Sequence, residues 1–194
     1  MPRKRWAVFI SGRGSNLAAL IDMYRQNEMD LRLVVSDSCH AYGLKRASWA
    51  GIPTMNFPRD SSNSRALDWA SMADELHRRG LSHLFLAGFM RVLPSDFIDR
   101  WQGKILNLHP SILPSDPGLK SSERAYADGS SMGSTVHEVI REVDAGPRVL
   151  QRETLNSKWV RSYSLANAEL MVHMDEQRLI KESIRRWKMW PTSL

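Results

Sequence analysis

Asn107 and His109 stand two residues apart at the end of the short apolar run Lys104-Ile105-Leu106. In a strand such a pair shares one face. A side-chain amide and an imidazole side by side offer one neutral donor and one donor that also carries a proton. That combination suits the oxygen of a carbonyl under nucleophilic attack. Pro110 and Pro114 follow at once and stop regular structure, so the pair is expected at a strand's carboxyl end, facing a loop. Taken alone, the pair has an equally good bland explanation, because both residue types suit turns and caps.

Two further motifs shift the balance. Asp144 lies in Val143-Asp144-Ala145-Gly146-Pro147, where Gly-Pro forces a turn. A carboxylate held there could pair with His109 and stabilise its imidazolium form; otherwise it only caps the turn. His137, on the preceding apolar stretch, reads as a hydrogen-bonded structural histidine. A two-histidine, one-carboxylate metal site built from His109, His137 and Asp144 lacks any short-spaced ligand pair, so no metal is expected. Ser11-Gly12-Arg13-Gly14-Ser15-Asn16 lies between an apolar run and an amphipathic segment. Glycines permit close backbone approach, and a helix start offers open N–H groups, so Gly14, Ser15 and Asn16 form a candidate phosphate cradle. No Gly-Lys-Ser/Thr follows, and Leu17 stands where a dinucleotide fingerprint needs a third glycine. Asp37 keeps a nicotinamide dehydrogenase as an alternative.

These groups need elements to place them. Trp6–Ile10, Leu31–Val35, Ile52–Phe57, Leu81–Ala87 and Lys104–Asn107 read as strands. Asn16–Arg25, Tyr42–Ala50, Ser64–Arg79 and Ser95–Trp101 read as helices. Alternation of this kind implies an α/β fold with a mostly parallel sheet and helices on both faces, ligands binding beyond the strands' carboxyl ends. The pattern then changes. Ser134–Ile140 and Arg148–Leu155 read as antiparallel strands, and a long helix runs from about Ser162 to Trp187. One domain is expected over residues 1–194, with a parallel part at 6–114 and a loop, antiparallel strands and a C-terminal helix at 115–194.

The chain of 194 residues carries a net charge of +6 and 42% hydrophobic residues, which excludes disorder as the default. No apolar run is long enough to span a bilayer. One cysteine cannot form an internal disulfide, which suits the cytoplasm. A basic balance fits anionic small molecules as well as nucleic acid. No basic face interleaved with aromatics occurs, so no nucleic-acid or membrane partner is expected.

The motifs Ile10-Ser11-Gly12-Arg13-Gly14-Ser15-Asn16-Leu17, Ala87-Gly88-Phe89-Met90-Arg91-Val92-Leu93, Asn107-Leu108-His109-Pro110-Ser111-Ile112-Leu113-Pro114, Gly133-Ser134-Thr135-Val136-His137 and Val143-Asp144-Ala145-Gly146-Pro147 are joined in order and spacing. In these the sequence resembles the phosphoribosylglycinamide formyltransferases, folate-dependent enzymes of purine synthesis. The resemblance implies a Rossmann-like formyltransferase fold. It implies transfer of a formyl group from 10-formyltetrahydrofolate to glycinamide ribonucleotide, with Asn107, His109 and Asp144 catalytic. Gly14, Ser15 and Asn16 would hold the substrate phosphate and Glu176 the acceptor. Arg65, Met90, Arg91, Val92 and Leu93, with Asn107 and the segment Ile140, Arg141, Glu142, Val143 and Asp144, would bind folate. A monomer or homodimer is implied. The chain departs from the family pattern at Lys120-Ser121-Ser122-Glu123, Gln177 and Lys181. Another amine, such as an amino sugar nucleotide, is the alternative acceptor.

Overall fold

The first strand, β1 (Arg5–Ile10), is buried at every residue but the first. Such a continuous apolar run marks a strand covered on both faces. It pairs in parallel with β2 (Asp30–Ser36) and with β4 (His83–Leu86), and β2 pairs in parallel with β3 (Thr54–Asn56). The structure is a computed structural model and describes residues 4–58 and 68–189. Its strands form a seven-stranded sheet in the order β3-β2-β1-β4-β5-β6-β7, with β5 at Lys104–His109, β6 at Met132–Glu138 and β7 at Arg148–Leu155. The β6–β7 pair is antiparallel, as its short connector requires.

The chain divides into two compact units, Met1–Leu106 and Asn107–Leu194. In the first, α1 (Ser15–Arg25) buries Leu17, Leu20 and Ile21 at the spacing of a helical face. It is followed by α2 (Tyr42–Trp49), α3 (Trp69–Arg78) and α4 (Ser95–Arg100). The helix expected from Ser64 begins, among the described residues, at Trp69. There Asp68 accepts a hydrogen bond from the Ser71 N–H at 2.6 Å and caps the first turn. Residues 64–67 lie outside the described residues.

In the second unit a helix not foreseen from the sequence, α5 (Ser121–Asp128), interrupts the expected loop. Glu123 sits in its first turn, and left-handed Gly129 closes it. The last helix, α6 (Leu165–Met189), starts three residues later than expected. A short 3-10 turn occupies Val160–Ser162, and the Ser164 hydroxyl accepts from the Asn167 N–H at 3.3 Å, which fixes the cap. Ala125, Met132, Leu155, Val160, Ala168 and Val172 form a core that ties α5, β6, β7 and α6 together. No described helix is long and apolar enough to cross a membrane.

Candidate active site

In the first unit, the loop between β1 and α1 lines a cavity of about 250 Å³ together with Ala87, Gly88 and Met90. The loop is built by two glycines. Gly14 has φ of +69°, and a Cβ there would stand 2.7 Å from the Gly43 Cα. A Cβ on Gly43 would meet the Ile10 side chain. Only residues without side chains allow this approach, which the Gly43 N–H seals by donating to the Gly12 carbonyl at 3.1 Å. Gly14 caps α1 without a side-chain hydrogen bond, and Ser15 and Asn16, in the first turn, line the cavity. On the other wall, the Met90 N–H donates to the Ser11 hydroxyl at 2.8 Å, and the Ser11 N–H to the Gly88 carbonyl at 3.1 Å. Such an arrangement can seat a small anion.

In the second unit Asn107 and His109, on alternate residues of β5, meet Asp144. The His109 Nδ1 lies 3.4 Å from Asp144 Oδ2, and the Asn107 amide donates to Oδ1 at 3.4 Å. His137 joins them, its Nε2 lying 3.2 Å from the Asn107 amide nitrogen and 3.4 Å from Asp144 Oδ1. The Gly118 N–H donates to Asp144 Oδ2 at 2.7 Å. Burial acts to raise the Asp144 carboxyl. The His137 hydrogen bond, the Gly118 N–H and the neighbouring imidazole charges outweigh it and hold the group below its ordinary value. Asp144 is therefore a carboxylate near neutral pH.

The second nitrogen of His109, Nε2, lies 2.9 Å from the Asp116 carbonyl oxygen. Both ring nitrogens thus face oxygens that accept hydrogen bonds. His137 differs. Its Nδ1 faces the Glu138 carbonyl at 2.9 Å, and its Nε2 faces both the Asn107 amide nitrogen and Asp144 Oδ1. The cluster pairs one buried cation-forming imidazole with one carboxylate, and sets an amide donor beside them. It can place hydrogen bonds and a proton on a polarised oxygen.

The connector after β6 positions Asp144 through its own backbone. Asp144 has φ of +56°, a left-handed conformation that costs a non-glycine residue energy. A Cβ on Gly146 would clash with the Glu138 carbonyl, so glycine lets the connector fold back there, and Glu138 N–H then donates to the Pro147 carbonyl at 2.8 Å. Behind His109, the buried Thr135 hydroxyl donates to the Ser111 carbonyl at 2.7 Å and accepts from the Leu113 N–H at 3.2 Å and the Gln151 amide at 2.9 Å. Thr135 and His137 share one face of β6, so one strand supports both the loop after His109 and the cluster itself.

Residues 4–183 match the family model described as "Formyl transferase". The chain belongs to the formyl transferase family. It is 42% identical over 152 residues to the phosphoribosylglycinamide formyltransferase of Haemophilus influenzae, covering 76% of this chain and 71% of that protein. Against the Escherichia coli enzyme of the same name it is 40% identical over 147 residues, covering 74% and 69%. It also matches the trifunctional purine biosynthetic protein adenosine-3 of Drosophila pseudoobscura pseudoobscura, at 41% identity over 77% of this chain. The chain spans only 11% of the length of that larger relative. Among solved structures it is similar to glycinamide ribonucleotide transformylase 1 from Geobacillus kaustophilus, with a TM-score of 0.86, 32% identity and coverage of 95% and 98%. The corresponding Symbiobacterium toebii protein gives a TM-score of 0.83, 34% identity and coverage of 94% and 86%.

The other expected positions of this formyl transferase are distributed as follows. Met90 and Val92 are exposed, whereas Leu93 is buried and packs in the core. The Arg91 guanidinium lies over the rings of Phe57 and Trp69, 4.9 and 4.7 Å from their centroids. Ile140, Arg141, Glu142 and Val143 are exposed around Asp144. Glu176, in α6, is buried and accepts from the Ser134 hydroxyl at 3.2 Å. Arg65 lies outside the described residues. Sequence reasoning missed Gly43 and Thr135, the Asp116 carbonyl and the Gly118 N–H. It also gave His137 no place in the cluster, although Thr135 and His137 at strand spacing were a usable signal.

Proposed function

We propose that this chain transfers a formyl group from 10-formyltetrahydrofolate to the primary amine of glycinamide ribonucleotide, a step of purine (IMP) synthesis in the cytoplasm. The observation that carries the reading is the contact of Asn107, His109, His137 and Asp144 in a chain of the formyl transferase family. The identities to phosphoribosylglycinamide formyltransferases support glycinamide ribonucleotide as acceptor over an amino sugar nucleotide. The folate supplies the formyl group, and no metal enters the reaction as written.

Attack by an amine on a formyl carbon puts negative charge on the formyl oxygen. The Asn107 amide and the His109 imidazolium donate hydrogen bonds to that oxygen; one such donor typically lowers the barrier by roughly 3–4 kcal/mol. His109 also supplies a proton towards the departing folate nitrogen and recovers one from the attacking amine, which sheds it as the amide forms; Asp144 keeps the ring oriented and charged. Gly14, Ser15 and Asn16 hold the ribonucleotide phosphate at the start of α1, and Glu176 contacts the acceptor. Met90, Arg91, Val92 and Leu93 line the folate site with Arg65 and the segment from Ile140 to Asp144. Met90 and Val92 in the first unit, and Ile140 and Val143 in the second, are exposed apolar side chains of the kind that suit a pterin or benzoyl ring. The chain works as a monomer or homodimer.

The deciding experiment mixes the protein with glycinamide ribonucleotide and a 10-formyl folate and follows deformylated folate by absorbance. Acceptor-dependent turnover is expected. Turnover that persists without acceptor would make the chain a hydrolase, and none at all would overturn the reading.

A further inference from the structure

We infer that His173 is a positioning residue that sets the orientation of the Glu176 carboxylate and thereby the affinity for the acceptor. The inference rests on the proposed role of Glu176. His173 and Glu176 are three residues apart on α6, a spacing that puts both on one helix face. The His173 Nδ1 lies 2.8 Å from Glu176 Oε2. From β6, the Ser134 hydroxyl donates to the other oxygen, Oε1, at 3.2 Å. The last torsion of a glutamate side chain is soft and nearly two-fold, so a carboxylate held through one oxygen still turns. Donors from two different elements, one on each oxygen, fix its plane.

The two donors are not equivalent. Glu176 is almost fully enclosed, with 7% of its side chain exposed, whereas His173 is 38% exposed and reaches the carboxylate from the solvent side. Ser134 belongs to the buried strand and cannot change without disturbing it. His173 is the adjustable partner. The Glu176 hydrogen bond raises the His173 imidazole above its ordinary value, against the opposing effect of burial, so the contact strengthens when the ring is charged.

The test measures both Michaelis constants and kcat for the full chain and for His173→Ala, His173→Asn, Glu176→Gln and the His173→Ala/Glu176→Gln pair, with Tm as a fold control. An Asn amide nitrogen stands close to where the imidazole Nδ1 stood. His173→Ala is expected to raise KM for glycinamide ribonucleotide roughly tenfold, the equivalent of one hydrogen bond to a charged group, with the folate KM and kcat within about twofold. His173→Asn should restore most of that loss. In the Glu176→Gln background the alanine change should add little. An unchanged acceptor KM in His173→Ala beside a raised one in Glu176→Gln overturns the inference and leaves Glu176 in place. An unchanged KM in Glu176→Gln removes the acceptor role of Glu176 and the inference with it. A parallel fall of Tm, kcat and both affinities that Asn does not rescue makes His173 structural and also overturns it.

Discussion

His109 Nδ1 lies 3.4 Å from Asp144 Oδ2, while its Nε2 lies 2.9 Å from the Asp116 carbonyl oxygen. Asp144→Asn removes the acceptor without changing the volume. An amide nitrogen can then face Nδ1, and the ring satisfies it by losing its proton there. We expect kcat to fall by roughly 10²–10⁴-fold, the usual contribution of a positioned acid, with folate affinity changed little. Equal losses in turnover and folate binding would remove the assigned role.

The Asp116 carbonyl sits on the same His109 nitrogen that a formyl oxygen would need. The segment carrying it is clamped by Arg124, whose guanidinium pairs with the Asp116 carboxylate at 3.4 Å and donates to the Pro117 carbonyl at 2.6 Å and to the Leu119 carbonyl. Hydrogen bonds from a charged donor contribute roughly 1.5–3 kcal/mol. Arg124→Met should therefore loosen residues 116–119 and speed amide exchange at Gly118, whose N–H holds Asp144, by about tenfold or more, while β6 exchange is unaffected. Unchanged Gly118 exchange would show that the segment is held by its own turns.

How far the sequence reveals this site depends on what kind of group does the work. The helix and strand alternation was legible because β1 is a continuous apolar run and α1 repeats its apolar residues at helical spacing. Asn107 and His109 were legible as a pair because alternate residues of a strand share a face. Backbone groups leave no such trace. The Asp116 carbonyl and Gly118 N–H engage the cluster through main-chain direction, which residue type does not encode. Gly43 had no visible purpose until Gly14 was found against it. The helix α5 escaped because it is only eight residues long, with Ala125 and Tyr126 as its only buried or half-buried apolar positions.

The glycine loop gives a contrast between neighbours. A Cβ at Gly12 would meet nothing within 4 Å, whereas one at Gly14 would meet the Gly43 Cα at 2.7 Å with φ at +69°. The left-handed conformation alone costs an alanine roughly 1–2 kcal/mol, and the backbone clash adds to it. Gly14→Ala should lower unfolding free energy by about 2–4 kcal/mol and raise KM for the phosphorylated acceptor. Gly12→Ala should leave stability within about 0.5 kcal/mol. Should it nevertheless raise the acceptor KM, the open space beside Gly12 is where the ligand lies. Equal stability of the two variants in urea unfolding would contradict the close approach.

His83 supplies a pH dependence that is independent of the site. Burial pushes its imidazole down to about 4, assisted by the charges of Lys4 and Lys104. The ring packs on Trp6 and its Nδ1 lies 2.8 Å from the Ser82 hydroxyl. A depressed folded value means that the unfolded chain binds the proton first as pH falls. The contribution is complete above the ordinary histidine value of 6.5 and is lost between there and about 4. After allowance for partial solvent access it amounts to roughly 2 kcal/mol. His83→Phe keeps a ring on Trp6 but cannot take the proton. The difference between its unfolding free energy near neutral pH and near pH 4 should be smaller than that of the wild type by this amount. Identical pH slopes would place no titrating burden on His83.

Thr135 tests whether support behind the cluster is separable from the cluster. Its hydroxyl is fully buried and serves three partners, the Ser111 carbonyl, the Leu113 N–H and the Gln151 amide. Thr135→Val keeps the shape and opens no cavity, so any loss comes from polar groups left without a partner. Gln151 and Arg148 still donate to the Leu113 carbonyl at 2.8 and 2.7 Å, which limits the damage to Ser111 and Leu113. A buried group stripped of its bond costs roughly 1–3 kcal/mol, so a loss of about 2–4 kcal/mol in urea unfolding is expected. Because Ser111 lies two residues beyond His109, kcat should fall several-fold while KM for either substrate stays near its wild-type value. Thr135→Ser retains the hydroxyl and should recover kcat even though its missing methyl leaves a small void. If serine and valine variants turn over equally slowly, the methyl packing rather than the hydrogen-bond node holds the strand end in register.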